Sequence, residues 1–352
     1  MINSGEGNWN IVHGFGGDTR DTKRAPMECV NIAQHLGFES DLPIDEQGET
    51  IVGQEDTIKT YDRALYRPNC PPVIIGMPHS GELVPQFIAD RVERPEVFGG
   101  QVGLDTGAIS IFAPRNDEFV AVRERISRMV VDPNREATDF AGKAPSNKGV
   151  CWETDLEGKP FYKPGQELTV EEKKPLIDSV FVPYFQKLAA LAGSLFDRKA
   201  SDGNKEHKKI LFIDGHSFPG NESISAYGIS AEDPKPLIIL GTGKGKTEIP
   251  GIEAELLDLF TRTLEENIPD GVLDLNFLSK KVAQNEIWTG TKNIKQWGDK
   301  GAPINPLGQE SRAIQIEVNR QFFMTDGKYD RKRLDMLHSA IYAAINSIAD
   351  KL

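Results

Sequence analysis

Two short, wholly apolar runs, Val73-Ile74-Ile75-Gly76-Met77 and Ile210-Leu211-Phe212-Ile213, constrain the fold more than any other feature of the chain. Apolar residues at every position, rather than at alternate ones, suit a strand buried on both faces, as in parallel sheets covered by helices. A third run, Leu237-Ile238-Ile239-Leu240, has the same character, and Ala313 to Asn319 alternates apolar and polar side chains. Helical patterns lie between them. Thr169-Val170-Glu171-Glu172 is a capping box that opens one long helix, or two shorter ones interrupted near Pro183. Further helices are expected from Ile252 to Leu264 and, amphipathic, from Leu334 to Leu352. Strands interleaved with helices imply an α/β fold with a mixed, largely parallel sheet flanked by helices.

Local signals add detail. Leu83 to Val92 reads as a helix with Pro85 in its first turn, and Asp105 as the N-cap of a short helix reaching Phe112. Phe119–Val122 and Met129–Val131 read as strands, Gly142 to Gln166 as a long surface loop, Val272–Asn276 as a strand and Asn285 to Pro306 as a loop. Residues 1–68 show no sustained period; they are read as a segment packed on or extending the main domain, with 69–352 forming a single catalytic α/β domain.

Charge and cysteine usage exclude several classes of function. With 41 Lys and Arg against 53 Asp and Glu, the formal charge of −12 argues against general affinity for nucleic acid or anionic membranes. Three widely spaced cysteines form neither a disulfide framework nor a metal knuckle, and no run of about 18 apolar residues occurs. A cytoplasmic protein is expected. The Gly241 to Thr247 loop follows an apolar strand but fails the phosphate-loop pattern, because Leu240 stands where a glycine is needed and Pro250 interrupts the helix that should follow. No G-x-S-x-G elbow is present.

The chemistry concentrates at strand ends, where ligands bind in open α/β sheets. The first run stops at Pro78-His79-Ser80-Gly81-Glu82 and the second at Asp214-Gly215-His216-Ser217. His79, Glu82 and His216 are nitrogen and oxygen donors of the kind a catalytic zinc takes, three protein ligands with a fourth position open. Taken alone, His216 reads more readily as a core histidine beside a turn aspartate; two strands ending the same way favour a metal. Glu317 shares a strand face with Gln315 and Asn319, which is either the solvent side of an edge strand or the wall of a cleft; in a cleft beside zinc it would serve as general base. Arg128, Asn134 and Arg135 surround a strand end, where an Asn-Arg pair grips a carboxylate through charge-assisted hydrogen bonds.

Pro78-His79-Ser80-Gly81, Ser127 to Arg135, Asp214-Gly215-His216-Ser217 and Gln315 to Arg320 together resemble, in order and spacing, the successive signatures of the N-formylglutamate amidohydrolase family. That family is similar to the zinc carboxypeptidases and the aspartoacylase group. The resemblance implies a zinc-carboxypeptidase-like (phosphorylase/hydrolase-like) fold and one Zn2+ per chain on His79, Glu82 and His216, with Asp105 in reserve for Glu82. It further implies Glu317 as base, Arg128 polarising the scissile carbonyl, and Asn134 with Arg135 holding a substrate carboxylate. The implied partner is a small N-acyl amino acid, N-formyl-L-glutamate foremost, rather than nucleic acid or membrane. A carboxypeptidase acting on short or murein-type peptides and a non-catalytic binder of an acidic amino acid are the alternatives. The sequence departs from the family pattern in Asp132-Pro133-Asn134-Arg135, where Leu is expected for Pro133, and in Gly215, where Cys or Leu is usual; both changes spare the implied contacts.

Overall fold

The structure, a computed structural model, describes residues 29–31, 71–99, 103–114, 119–140, 142, 148–155, 157–201, 209–220, 230–243, 253–288, 293, 310–349 and 351. Eight of its strands are β1 (Cys29–Asn31), β2 (Val73–Met77), β3 (Leu83–Pro85), β4 (Val120–Arg123), β5 (Lys209–Phe218), β6 (Ile238–Gly241), β7 (Val282–Gln284) and β8 (Glu310–Asn319). Six form one sheet in the order β4-β2-β5-β8-β6-β7. β4, β2, β5 and β8 are parallel neighbours, whereas β6 runs antiparallel to β8 and parallel to β7. The expected mixed, largely parallel sheet is therefore what forms.

Helices cover both faces, which is why the central strands carry apolar residues throughout. On one face, Ile74, Ile210, Phe212 and Ala313 pack with Leu176 of α2 (Val170–Ser179) and Phe185 and Leu188 of α3 (Phe181–Ser201). On the other, Val73, Ile75, Met77, Leu211 and Ile213 meet α1 (Ala108–Phe112), α4 (Glu253–Glu266) and α5 (Arg331–Ala349). The capping box holds: Thr169 Oγ1 accepts from Glu172 N and Thr169 N donates to Glu172 Oε2. The break between α2 and α3 falls at Val180, ahead of Pro183, because a proline is tolerated in the first turn of α3 where its missing N–H has no helical partner.

Several local expectations give way to tertiary contacts. Leu83–Pro85 is a strand, paired with β1 and bonded to Arg125 and Ser127, and only Gln86–Ala89 turns helical. Met129–Val131 forms turns closed on Ser127 O, its apolar side chains in the core without a ladder. In the Gly142–Gln166 stretch, expected as a surface loop, Cys151, Trp152, Phe161 and Tyr162 are buried in the core, whereas 157–160 and 163–166 are exposed. Asp270–Asp274 is a 3₁₀ turn with no buried residue, where a strand was expected at Val272–Asn276. Residues 244–247 at the end of the glycine-rich loop, most of Asn285–Pro306 and, apart from β1, residues 1–68 lie outside the described residues.

One glycine in β2 is dictated by close approach. A Cβ at Gly76 would stand 2.8 Å from both the Phe212 ring and the Tyr184 hydroxyl. Both neighbours are buried and packed. Gly76→Ala is expected to destabilise the protein by about 1–3 kcal/mol, the usual cost of overpacking, read as a lower thermal midpoint.

Candidate metal centre

The long β5–β8 ladder builds the site. β5 does not stop at Ile213 but continues through Asp214-Gly215-His216-Ser217 to Phe218, in parallel register with β8 that sets Asp214 opposite Gln315 and His216 opposite Glu317. Because side chains alternate across a strand, Asp214 and His216 share one face of β5, and Gln315 and Glu317 share the same face of β8. All four are buried. His79 arrives from the end of neighbouring β2, two residues past Met77.

Asp105 joins them from the loop before α1. It is not the cap of that helix: Gly107, at φ 82°, holds the N-cap position, and the Asp105 side chain turns to the histidines instead. Its backbone N donates to His79 O, and Arg320 Nη1 donates to Leu104 O, pinning the loop from both sides. Asp105 Oδ2 lies 2.7 Å from His216 Nδ1 and 3.5 Å from His79 Nδ1. Potential ligand atoms of His79, Asp105 and His216 all fall within 4.8 Å of one another.

Each histidine also has a carboxylate facing its other nitrogen, hydrogen-bonded at His79 and in charge contact at His216. His79 Nε2 lies 2.8 Å from Asp132 Oδ1, and His216 Nε2 lies 3.0 Å from Asp214 Oδ2. The hydrogen bond to Asp132 favours the His79 tautomer with its proton on Nε2, which leaves the His79 Nδ1 lone pair toward Asp105, the same carboxylate that His216 Nδ1 meets at hydrogen-bond distance. Three acceptors facing one another repel unless a cation or a proton sits among them. The His79 Nδ1 atom is buried with no hydrogen-bond partner among the described residues. Two imidazoles and one carboxylate, with outer carboxylates on both rings, fit the donor set and surroundings of a catalytic zinc.

Glu82, expected as a ligand, is not among the three residues whose potential ligand atoms converge, whereas Asp105, the reserve for it, is. The reason is local: a three-residue spacing brings two side chains together on a helical turn, but the chain after Gly81 runs extended into β3. Gly81 itself is pressed against the Ile126 backbone, where a Cβ would come within 2.1 Å of the carbonyl oxygen. Glu82 is buried there.

The remaining expected residues gather around Asp132. Arg128 Nη2 donates to Asp132 Oδ2 at 2.8 Å, and its guanidinium lies 5.1 Å from the centre of the Trp152 ring. Asn134 N donates to Asp132 Oδ1, and Arg135 donates to Asn134 O. Asp132 thus ties His79 to the Arg128 and Asn134 loop. Burial would raise its carboxyl pKa, yet Arg128, Arg135 and His79 hold it well below the usual range. Glu317 behaves oppositely: burial, with Asp105 and Asp214 adding to it against His216 and Gln315, pushes it up to about 7. Its Oε1 accepts from Gln315 Nε2 at 2.5 Å.

The sequence points to no role for Asp132, Gln315 or Asn293, and offers Asp214 as a turn residue in one of two readings. Asp214 was legible: it precedes His216 by two, which is one strand face once β5 is seen to run through both. Asn293, fully buried between Asp214 and Asn134, carries no local signal.

Residues 71–324 match the family model described as N-formylglutamate amidohydrolase. The chain belongs to the N-formylglutamate amidohydrolase family. The matched span takes in every site residue named above. A stretch of 125 residues, 34% of the chain, is 29% identical to N-formylglutamate deformylase of Pseudomonas aeruginosa and spans 44% of that protein, less than half its length. Among solved structures, N-formylglutamate amidohydrolase from Ralstonia eutropha JMP134 superposes with a TM-score of 0.56 at 24% identity, covering 80% of this chain and 94% of that one. A gene product of Agrobacterium tumefaciens superposes at 0.50 and 18% identity, over 79% and 92% of the two chains. At such identities these two establish a shared fold.

Proposed function

We propose that this family member is a zinc-dependent amidohydrolase that cleaves the N-acyl amide of an acidic amino acid, with N-formyl-L-glutamate as the leading substrate. The observation that carries the reading is the convergence of His79 Nδ1 and His216 Nδ1 on Asp105, each ring with a carboxylate facing its other nitrogen, with Glu317 beside His216 in register. His79, Asp105 and His216 would hold the zinc, which would supply Lewis acidity at the acyl carbonyl.

The protein's own groups account for the rest of the reaction. Glu317, raised to about 7 and steadied by Gln315, is matched to taking a proton from the attacking water and passing it to the leaving nitrogen at neutral pH. Arg128, held by Asp132 and packed on Trp152, opposes negative charge developing on the acyl oxygen. Asn134 and Arg135 present amide and guanidinium donors to a substrate carboxylate. Water adds across the C–N bond, so N-formyl-L-glutamate gives formate and L-glutamate. Residues 69–352 would carry this chemistry as one catalytic domain, with 1–68 packed on it or extending it, in a reducing cytoplasmic compartment. No helix among the described residues is long and apolar enough to cross a membrane.

A screen of N-formyl, N-acetyl and N-succinyl amino acids, read by release of primary amine, tests the assignment. The highest kcat/KM is expected on N-formyl-L-glutamate. Turnover confined to short peptides, or binding of acidic amino acids with no turnover of any amide, would overturn it.

A further inference from the structure

The buried side chain of Asn293 joins the two halves of the site without belonging to either. Its Nδ2 donates to Asp214 Oδ1 at 3.2 Å, and the other oxygen of that carboxylate faces His216 Nε2. Its backbone N donates to Asn134 Oδ1 at 3.3 Å. The first contact holds one oxygen of Asp214 and so sets the carboxylate plane, leaving the other oxygen in charge contact with the His216 ring at 3.0 Å. The second settles which end of the Asn134 amide faces inward: the oxygen is taken up by a main-chain donor, so the Nδ2 donor is the end available to an anion. Asn293 Oδ1 has no hydrogen-bond partner among the described residues, and a side-chain flip that exchanged Oδ1 and Nδ2 would set oxygen against the Asp214 carboxylate. Only one orientation is tolerated.

We infer that Asn293 is a positioning residue that couples the metal ligand His216, through Asp214, to the carboxylate grip at Asn134. This rests on the function proposed above and assigns a role to a residue outside the group formed by His79, Asp105 and His216. The arrangement matches the shape of an N-acyl amino acid, whose acyl carbonyl and carboxylate are separated by only the amide nitrogen and Cα. A link of fixed length between the group that orients a metal ligand and the group that grips the carboxylate holds those two points at the spacing the substrate requires. Outer residues of this kind typically change metal affinity by roughly 10–100-fold.

The test uses Asn293→Leu, similar in volume and unable to donate to Asp214. Zinc affinity is measured by chelator competition, and KM is compared for N-formyl-L-glutamate and N-formyl-butylamine, which lacks a carboxylate. Roughly tenfold weaker zinc binding is expected, at the lower end of that range, together with a KM that rises for the carboxylate-bearing substrate alone. Zinc affinity and KM both unchanged would overturn the inference. So would a lowered thermal midpoint with no change in either quantity, the mark of a purely structural residue. Asn293→Ser, smaller, gives the same readouts should the leucine not be accommodated. The wild-type arm keeps the two ideas apart: a wild-type protein that neither holds zinc nor cleaves acyl amino acids refutes the proposed function, whereas a competent wild type with an unaltered variant refutes only the role of Asn293.

Discussion

Glu317→Gln is expected to lower kcat on N-formyl-L-glutamate by about 10²–10⁴-fold, the usual contribution of a positioned general base, while the metal content stays that of the wild type. The two carboxyl oxygens of Glu317 become one oxygen and one amide, so the hydrogen bond from Gln315 Nε2 can persist and the β8 register is untouched. What is lost is the ability to take up a proton. Burial pushes Glu317 up to about 7, close to the pH at which it must work, and a carboxyl poised there exchanges protons with water and with an amine more readily than one at the ordinary value near 4.5. The measurement is steady-state kinetics beside metal analysis on the same sample. A variant that keeps most of its turnover would remove Glu317 from the chemistry. A variant that loses metal as well would make it a ligand or a brace.

The second large effect is expected at Asp105. Asp105→Ala should reduce zinc affinity by more than the roughly 10–100-fold that loss of an outer carboxylate costs, because it removes the oxygen on which both Nδ1 atoms converge. It should abolish turnover with it. Glu82→Gln is expected to leave zinc binding unchanged, since the extended chain after Gly81 keeps Glu82 out of the group formed by His79, Asp105 and His216. Chelator competition on the two variants side by side decides the matter. The reverse outcome, with zinc lost from Glu82→Gln and kept by Asp105→Ala, would restore the ligand set that spacing alone favours.

Much of the architecture was readable because burial on both faces leaves an unmistakable mark. Val73 to Met77 and Ile210 to Ile213 could only be inner strands of a covered sheet, and placing His79 and His216 at neighbouring strand ends already brings two imidazoles together. Glu317 was readable as one of two things, and its burial on β8, an inner strand between β5 and β6, removes the solvent side of an edge strand from the choice. Reading failed where a residue's partner lies far off in the chain. Leu83 looks helical until Arg125 and Ser127 claim its backbone groups, and Met129 to Val131 look like a strand although their ladder never forms. Asp105 carries the ordinary signal of an N-cap, and the contact that diverts it, His216, is 111 residues away. Asn293 had no signal at all, because its role comes from two contacts made 79 and 159 positions earlier in the chain.

The metal content of the unaltered chain, purified without chelators and counted by mass spectrometry against protein concentration, tests the central claim most directly. The expected result is close to one zinc per chain, lost in step with activity as a chelator is added and regained with it when zinc is restored. A folded protein that cleaves N-formyl-L-glutamate with no stoichiometric metal, and that chelators leave untouched, would contradict it.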